Sequence, residues 1–224
     1  MPDPLLPASF LFRYSVPCRY QAEAWSEAGA NLSEDFRLPS FASLDGGPDG
    51  FDLRAAWSET GLTLTVRVVG KKQLPWCREN RVDESDGLHL WIDTRDTHNI
   101  HRAARFCHYF VFLPSGGGNR LADPVAAQML INRAREQAHP VRPGMLGVRS
   151  RKLPDGYELE AHIAAAALTG FDPAEHPRLG FMSAVVDREL GTQTFAAPAE
   201  FAYQEDPSLW ATLELVPGKP SPQR

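Results

Sequence analysis

Cysteine is scarce in this sequence, and long apolar runs are absent. Three cysteines occur in 224 residues, Cys18, Cys77 and Cys107, and no two of them form a CxxC pair. An odd number of widely spaced cysteines indicates reduced thiols in a cytoplasm rather than a disulfide framework. No stretch approaches the roughly 20 apolar residues that a membrane-spanning helix needs. Residues 1–18 contain prolines and lack the basic segment of a signal peptide, so we expect neither export nor a membrane partner.

Positive charge is in the minority. The 23 lysines and arginines are outnumbered by 28 aspartates and glutamates, which gives a formal net charge of −5 and a pI near 5.8. Domains that bind nucleic acid are normally basic, so we expect no nucleic-acid partner. A chain of this length buries roughly 70% of its unfolded surface on folding, and therefore needs no disulfide or metal for stability.

The common signatures of catalytic sites are also missing. The sequence has no GxSxG and no HExxH motif, and its glycine-rich stretch at 114–118 lacks the spacing of a phosphate loop. Glu158 and Glu160 lie two apart on one predicted strand, and their separation of about 7 Å is compatible with paired acids. Adjacent surface glutamates on any exposed strand give the same distance. We therefore expect a binding protein more than an enzyme.

Short alternating segments dominate what is present. Between residues 51 and 216 the pattern predicts some nine or ten short strands with turn signals between them and little helix. Leu62 to Val68 alternates most cleanly, and Leu153-Pro154-Asp155-Gly156 is typical of a hairpin turn. One longer helix is predicted from Asp123-Pro124 through Ala138, although Met129 to Ile131 would equally extend a sheet. These elements favour an all-β fold, a single antiparallel β-sandwich.

No internal repeat and no linker divides the chain. We predict a flexible N-terminus over residues 1–9, one sandwich domain over 10–216 and a disordered tail over 217–224. At the start of the domain, Phe10 to Val16 is predicted to be an edge strand, which Pro17 ends because proline cannot donate to a ladder.

The segment from Asp86 to Leu113 carries the residues best suited to a binding site. Its first strand alternates two kinds of side chain, with Leu88, Leu90 and Ile92 on one face and His89, Trp91 and Asp93 on the other. A basic link follows, and then a second strand from Phe106 to Leu113. Tyr109 and Val111 make the better core set in that strand, so we place His108 on the face of His89 and Trp91.

We predict ligand-binding roles for eight residues of this segment and of the charged loop before it: Trp76, Arg81, Asp86, His89, Trp91, Arg102, Arg105 and His108. Together they would form an aromatic floor with basic walls, suited to a polar or anionic ligand. Structural roles are the alternatives. Trp91 would then belong to a second apolar layer under residues 20–46, Trp76 would fold onto the sandwich edge, and the loop charges would be a solvated surface.

The histidines of this segment also allow a metal hypothesis. Neutral imidazoles bind zinc, iron or copper, and His98 and His101 would share one face of a helix. No recognised metal-ligand spacing accompanies them. A strand histidine such as His108 is more often partly buried and hydrogen-bonded.

Four segments carry a resemblance by their order and spacing: FDLRAAWSETGLTLTVRV, DESDGLHLWIDTR, DGYELEAHIAAAALTGF, and PRLGFMSAVVDRE with LWATLELV near the end. Over residues 51–216 the chain resembles the family 9 carbohydrate-binding modules and the wider DOMON-like sandwiches. The resemblance implies an antiparallel sandwich that binds sugars between aromatic rings, with structural calcium in some members and haem or other ligands in relatives. The chain differs at Gly70-Lys71, where an acidic residue often ends the strand, at Ala164, where proline is usual, and in the link 98–108.

The sequence therefore predicts a non-catalytic ligand-binding domain whose ligand is a small glycan or another polar small molecule. Two alternatives remain open. The first is a metal-dependent enzyme that uses the histidines between residues 89 and 108. The second is an interaction scaffold that buries the Trp91 face against a protein partner or a second copy of the chain.

Overall fold

The computed structural model describes residues 14–39 and 51–218. The predicted flexible start, residues 1–9, and most of the predicted tail lie outside these ranges. The described residues contain thirteen strands: β1 Ser15–Tyr20, β2 Trp25–Ser26, β3 Gly29–Ala30, β4 Phe51–Ser58, β5 Gly61–Val69, β6 Gly87–Asp93, β7 Cys107–Gly117, β8 Asp123–Met129, β9 Leu146–Leu153, β10 Gly156–Ala164, β11 Arg178–Asp187, β12 Gly191–Thr194 and β13 Ala211–Val216.

Eleven of these strands form one large sheet. Its order is β8-β7-β6-β11-β13-β1-β4-β5-β10-β9, with β12 paired to β11, while β2 and β3 form a separate small hairpin. β7 contacts both β9 and β10, so the two ends of the sheet face each other and enclose the core. All pairs are antiparallel except those of β1 with β13 and β4. The predicted all-β sandwich is confirmed.

Helix is confined to short 3₁₀ turns in the described part of the chain. They are Glu34–Phe36, Val82–Glu84, Ala165–Ala167 and Pro207–Leu209. None of them has the length or the apolar character that crossing a membrane would require.

Two tight hairpins confirm turns that the sequence predicts. Pro154-Asp155 joins β9 to β10, and Glu59-Thr60 joins β4 to β5 in the same way. Gly61 closes the second turn with φ of +140°, and a Cβ at this position would lie 2.0 Å from the carbonyl oxygen of Ile163. Glycine is therefore required where β5 begins.

The helix predicted from Asp123 through Ala138 is wrong. The first half of this range forms β8, Asp123–Met129, which pairs with β7 so that Val125 lies opposite Leu113. Helix preferences amount to only about 0.5 kcal/mol per residue, and pairing with a neighbouring strand readily outweighs them.

The edge strand predicted over Phe10 to Val16 is wrong in the part that the structure describes. β1 continues through Pro17 to Tyr20 and lies inside the sheet, parallel to β13 on one side and to β4 on the other. β4 pairs only with Arg19 and Tyr20. At Pro17, therefore, β1 pairs with β13 alone. On the β4 side no described strand is paired at this position, so the N–H that proline lacks is not needed there.

β6 is buried along its whole length, on both faces of the sheet. Its leucines and isoleucine belong to the main core between the two halves of the sheet. A second, smaller apolar cluster covers the opposite face of the neighbouring strand, and consists of Cys77, Val82, Val111 and Leu113. Because both faces carry apolar clusters, burial does not distinguish an inner from an outer face here.

Candidate functional site

The register of β6 and β7 decides which of the predicted site residues share a face. Trp91 lies opposite Tyr109, and Ile92 lies opposite His108. Directly opposed residues project from the same face of a sheet, and successive residues from opposite faces. His89, Trp91 and Tyr109 therefore lie on the outer face, and His108 lies on the inner face. The predicted site that contains both His89 and His108 does not exist.

The error has a physical cause. Tyr109 and Val111 were assigned to the core because they form an apolar set with Leu113, and they do pack in an apolar cluster. That cluster, however, lies on the outer face, under Cys77 and Val82 of the loop before β6. When both faces of a strand are buried, apolarity alone does not set its orientation.

The outer face of β6 and β7 is a packed aromatic layer. The Trp91 ring stacks on the Tyr109 ring with centroids 4.5 Å apart, and His89 stacks beside both. Tyr203 covers Trp91 edge-on at 5.3 Å, so that Trp91 is only 2% exposed. Trp91 thus lies in a second apolar layer, and Tyr203 covers it; part of the segment 20–46 predicted to cover it lies outside the described residues.

The polar groups of His89, Tyr109 and Asp93 are used within the fold, whereas the indole N–H of Trp91 is buried without a hydrogen-bond partner in the described residues. The hydroxyl of Tyr109 lies 2.8 Å from Nδ1 of His89. Burial lowers the pKa of His89 to about 4, so its imidazole is neutral at neutral pH. At the end of β6, the Asp93 carboxylate accepts the backbone N–H groups of Arg95 and Thr97. The Arg95 guanidinium donates to the backbone carbonyls of Thr94 and Gly170 rather than to the Asp93 carboxylate.

The other histidines do not join His89. His98 lies 2.9 Å from the Thr212 hydroxyl and 3.0 Å from Asp96, and His101 lies 3.1 Å from Asp206. His108 is fully buried in the main core, beside Phe110. Within residues 14–39 and 51–218, no group of three or more histidine, cysteine or acidic side chains is arranged to hold a metal ion. The structure gives the metal-enzyme alternative no site in this region.

Three predicted arginines lie apart from one another. Arg81 is exposed and pairs at 3.4 Å with Glu84, which is also exposed. Arg102 is exposed, and its guanidinium donates to the carbonyl oxygen of Arg133 at 2.7 Å. Arg105 is exposed and lies over the Phe106 ring at 4.9 Å, beyond the far end of β6. None of them lies beside the His89 ring layer as a basic wall.

Besides the stacked His89 and Trp91, the structure brings together one more pair of predicted residues, Trp76 and Asp86. The backbone N–H of Trp76 donates to the Asp86 carboxylate at 2.9 Å, and the backbone N–H of Asp86 donates to the Trp76 carbonyl oxygen at 2.9 Å. The guanidinium of Arg188 lies 3.5 Å from the centroid of the indole ring. A sugar ring could stack on that face of Trp76 only after Arg188 moved away.

A buried ion cluster lies beside this pair. The Lys71 ammonium is 2.5 Å from Asp187, 3.7 Å from Glu189 and 3.9 Å from Asp86, with its side chain only 2% exposed. Burial raises the pKa of Asp86, although two backbone N–H groups partly offset this effect. The cluster ties the loop after β5 to the turn between β11 and β12.

An open cleft with a volume of about 770 Å³ lies above this cluster, at the end of the sandwich where β6 begins. Its walls are the loop after β5, the end of β7 with the turn that follows, and the β9–β10 hairpin. Leu74 and Leu121 contribute apolar surface and are 71% and 39% exposed. The charged residues that line the cleft are all basic: Lys71, Lys72, Arg78, Arg120 and Lys152.

Tyr157 forms part of the cleft floor. The residue is 2% exposed, and within the described ranges its hydroxyl has no hydrogen-bond partner. Burial raises the pKa of this phenol well above its usual value, with the carboxylates of Asp187 and Asp86 as smaller causes. The phenol is therefore a neutral polar group between the ion cluster and the cleft.

Sequence reasoning missed this cleft almost entirely. Its basic residues are scattered over residues 71–152, and only the fold brings them together. One signal was available, because Lys71 stands where the resembled family often has an acidic residue. Lys71, the residue that departs from the family pattern, is the centre of the ion cluster.

Two solved structures of carbohydrate-binding modules share this architecture. A family 9 module from Caldicellulosiruptor kristjanssonii, in complex with cellotriose, superposes with a TM-score of 0.60 at 13% identity, over 92% of this chain and 95% of that one. A structure of a family 9 module from the same organism in complex with glucose gives a TM-score of 0.60 at 12% identity, over 94% and 100% of the two chains. The chain has the fold of the family 9 modules.

Sequence comparison reaches less far. No protein-family model matches the chain. A segment of 102 residues, 46% of this chain, is 32% identical to part of a 3-phosphoshikimate 1-carboxyvinyltransferase of Syntrophobacter fumaroxidans. The matched segment is 24% of that enzyme, so the chain spans about a quarter of the length of the curated relative it matches. This partial match does not establish catalysis.

Proposed function

We propose that this chain is a non-catalytic saccharide-binding domain whose site is the end cleft. The observation that carries the proposal is the cleft itself, an open cavity of about 770 Å³ that combines exposed leucines with hydrogen-bonding side chains. Saccharides present apolar C–H faces and hydroxyl groups together, and a site for them needs both kinds of surface. Support comes from the fold, which it shares with modules that are described in complex with cellotriose and glucose.

Binding is favoured over hydrolysis by the position of the acids. Glycoside hydrolysis requires two carboxyl groups on either side of the bond that is cleaved. No carboxylate lines the cleft among the described residues. Glu158 and Glu160 do project from one face of β10, but Glu158 pairs with Arg151, and Glu160 accepts the backbone N–H of Ala30 at 3.0 Å.

Among the described residues, the structure does not offer the exposed surface that the interaction-scaffold alternative requires. That alternative needs an exposed Trp91 face that a partner would cover, and Tyr203 of the same chain already covers that face. The exposed apolar surface of the cleft offers a ligand site in its place.

A glycan array followed by calorimetry tests the proposal. We expect the wild-type protein to bind saccharides of at least one class, and backbone amide NMR shifts on titration to fall on the cleft walls. Leu74→Ala should weaken binding by about fivefold, because it removes roughly 1 kcal/mol of apolar contact. Leu130→Ala is the matched control, since Leu130 is 75% exposed and lies outside the cleft.

Two results would contradict the proposal. One is the absence of binding to any neutral or acidic saccharide at millimolar concentration. The other is binding whose NMR shifts avoid the cleft and fall elsewhere, which would move the site. Trp76→Ala separates a further question, because a loss of binding in that variant would mean that Arg188 leaves the indole when the ligand stacks.

A further inference from the structure

The charge of the cleft differs from that of the whole chain. The chain has more acidic than basic residues and a formal net charge of −5, yet every charged residue lining the cleft is a lysine or an arginine. A pocket lined with charge of one sign concentrates ligands of the opposite sign. The cleft is therefore electrostatically suited to an anion.

Among these five cations, Lys71 alone has a carboxylate partner in the described ranges, whereas Lys72, Arg78, Arg120 and Lys152 form no ion pair there. Arg120 and Lys152 are exposed and form no ion pair there, on opposite walls of the cleft. Lys71 differs from them, because its ammonium already has three carboxylates within 4 Å. Of the other two, the Arg78 guanidinium donates to the Cys77 carbonyl and lies over the Trp76 ring, and Lys72 donates its backbone N–H to Glu189. Arg120 and Lys152, exposed on opposite walls, are therefore the two cations placed to meet a ligand from both sides.

Two acidic side chains near the lining, Asp155 and Glu189, accept hydrogen bonds from backbone groups. Asp155, in the β9–β10 turn, accepts the N–H of Gly70 at 3.2 Å. Glu189 accepts the N–H groups of Lys72 and Gln73 at 2.9 Å. These bonds fix both carboxylates to the backbone of the loop after β5, so neither lines the cleft beside Arg120 or Lys152.

The cleft also lacks the usual means of holding a neutral sugar. Tyr157 is the one aromatic residue among its described lining residues, and it is 2% exposed. The indole face of Trp76 nearby carries Arg188. Without an open ring for the C–H face of a sugar, polar and ionic contacts must provide a larger share of the affinity.

We infer that the cleft selects saccharides that carry an anionic group, a carboxylate or a phosphate, with Arg120 and Lys152 as the residues that determine this specificity. The inference rests on the proposed saccharide-binding function and names its ligand class. The anionic group lies between the two walls, where it pairs with both cations, while the sugar ring contacts Leu74 and Leu121.

Matched ligands test the inference by calorimetry at 20 mM salt. Methyl β-glucoside and methyl β-glucuronide differ only at C6, and glucose and glucose 6-phosphate form the second pair. We expect the anionic member of at least one pair to bind about tenfold tighter or more, and this preference to fall as salt rises to 500 mM. Comparison of the two pairs distinguishes a uronate from a sugar phosphate as the preferred source of charge.

Substitutions test which residues cause the preference for an anionic ligand. Arg120→Gln and Lys152→Gln should each weaken binding of the anionic ligand about fivefold and leave neutral ligands within twofold, as expected for the loss of one ion pair. Arg105→Gln removes the same charge beyond the opposite end of β6, about 20 Å away along the strand, and serves as the control.

The outcomes separate the two proposals. Equal binding of charged and neutral partners, unaffected by Arg120→Gln and Lys152→Gln, overturns the anionic preference and leaves saccharide binding intact. Inorganic phosphate that binds as tightly as glucose 6-phosphate reveals a simple anion site and also overturns the inference. Absence of binding to every saccharide overturns the proposed function itself.

Discussion

The outer face of β6 and β7 has the residue types expected of a sugar site and the end cleft largely lacks them, yet the two regions differ more in what their side chains contact. On the outer face, His89, Trp91 and Tyr109 stack on one another and are covered by Tyr203. In the cleft, Arg120 and Lys152 pair with no carboxylate in the described residues, and the side chains around them are open to solvent. A site is therefore marked less by aromatic and polar residue types than by groups that the rest of the chain leaves without a partner.

Removal of the Trp91 side chain is the strongest test of this comparison. Trp91→Ala leaves a large cavity in a layer that is almost fully buried, and we expect a loss of about 4 to 5 kcal/mol in the free energy of unfolding. Urea denaturation measures this loss. The milder variant Trp91→Phe keeps a ring in the layer and should bind any cleft ligand as wild type does, since Trp91 does not line the cleft. Lost ligand affinity in a stably folded Trp91→Phe would break the comparison.

Lys71 combines features of both regions, because it lines the cleft but its ammonium is already paired with carboxylates. In Lys71→Met the carboxylates of Asp187, Asp86 and Glu189 lose their buried counter-ion. We expect a loss of about 3 kcal/mol at pH 7. Lys72→Met is the matched control, since Lys72 is exposed one residue further along, and should change stability by less than about 0.5 kcal/mol.

The pH dependence of Lys71→Met follows from the same contacts. Burial already raises the pKa of the Asp86 carboxyl group, and Lys71 opposes this effect, so without the ammonium that pKa rises further above its unfolded value. The folded state then binds more protons, so stability increases as pH falls, and the deficit against wild type should shrink between pH 7 and pH 5. A deficit that is independent of pH would mean that packing, rather than charge, makes Lys71 important.

The sequence predicted the fold well because strand alternation and turn residues are local signals. Leu62 to Val68 and the Pro154-Asp155 turn each specify their structure within a few residues, and both appear as predicted. Residues 123–129 show the limit, since their helix preference is local and their pairing with β7 is not. The predicted DOMON-like kinship and the cytoplasmic location stay predictions.

The candidate site was harder to predict because it depends on register and on distant pairing. Placing His108 required knowing which face of β7 meets the main core, and both faces carry apolar residues. Arg120 and Lys152 are 32 positions apart in the sequence and meet across the cleft only because the sheet folds over. Trp76 and Asp86, which were predicted to bind a ligand on the His89 face, lie in the loop that forms one wall of the cleft but are not among its lining residues, and their role in binding stays a prediction.

His108 sharpens the comparison, because it shows that a missing partner is not sufficient without access. Like the Tyr157 hydroxyl, both ring nitrogens of His108 are buried without a well-formed hydrogen bond in the described residues, although the Thr169 backbone lies close enough to favour the charged imidazole slightly against the effect of burial. His108 is 0% exposed and lines none of the cavities described in this structure. We therefore interpret its imidazole as a cost to stability with no ligand to offset it.

His108→Leu should accordingly stabilise the protein, by about 1 kcal/mol at pH 7, because it removes two buried polar atoms that lack partners.

Burial lowers the pKa of His108 to about 4, against about 6.5 in an unfolded chain. Between these values the unfolded state binds the proton and the folded state does not, so wild-type stability falls as pH falls from 6.5 to 4 and is flat above 6.5. At pH 5 the advantage of the variant should therefore be larger by about 2 kcal/mol. Urea denaturation at both pH values measures this difference in stability, with His101→Gln as the control at an exposed histidine. If His108→Leu were less stable than wild type at pH 5, the imidazole would have a partner that stabilises it.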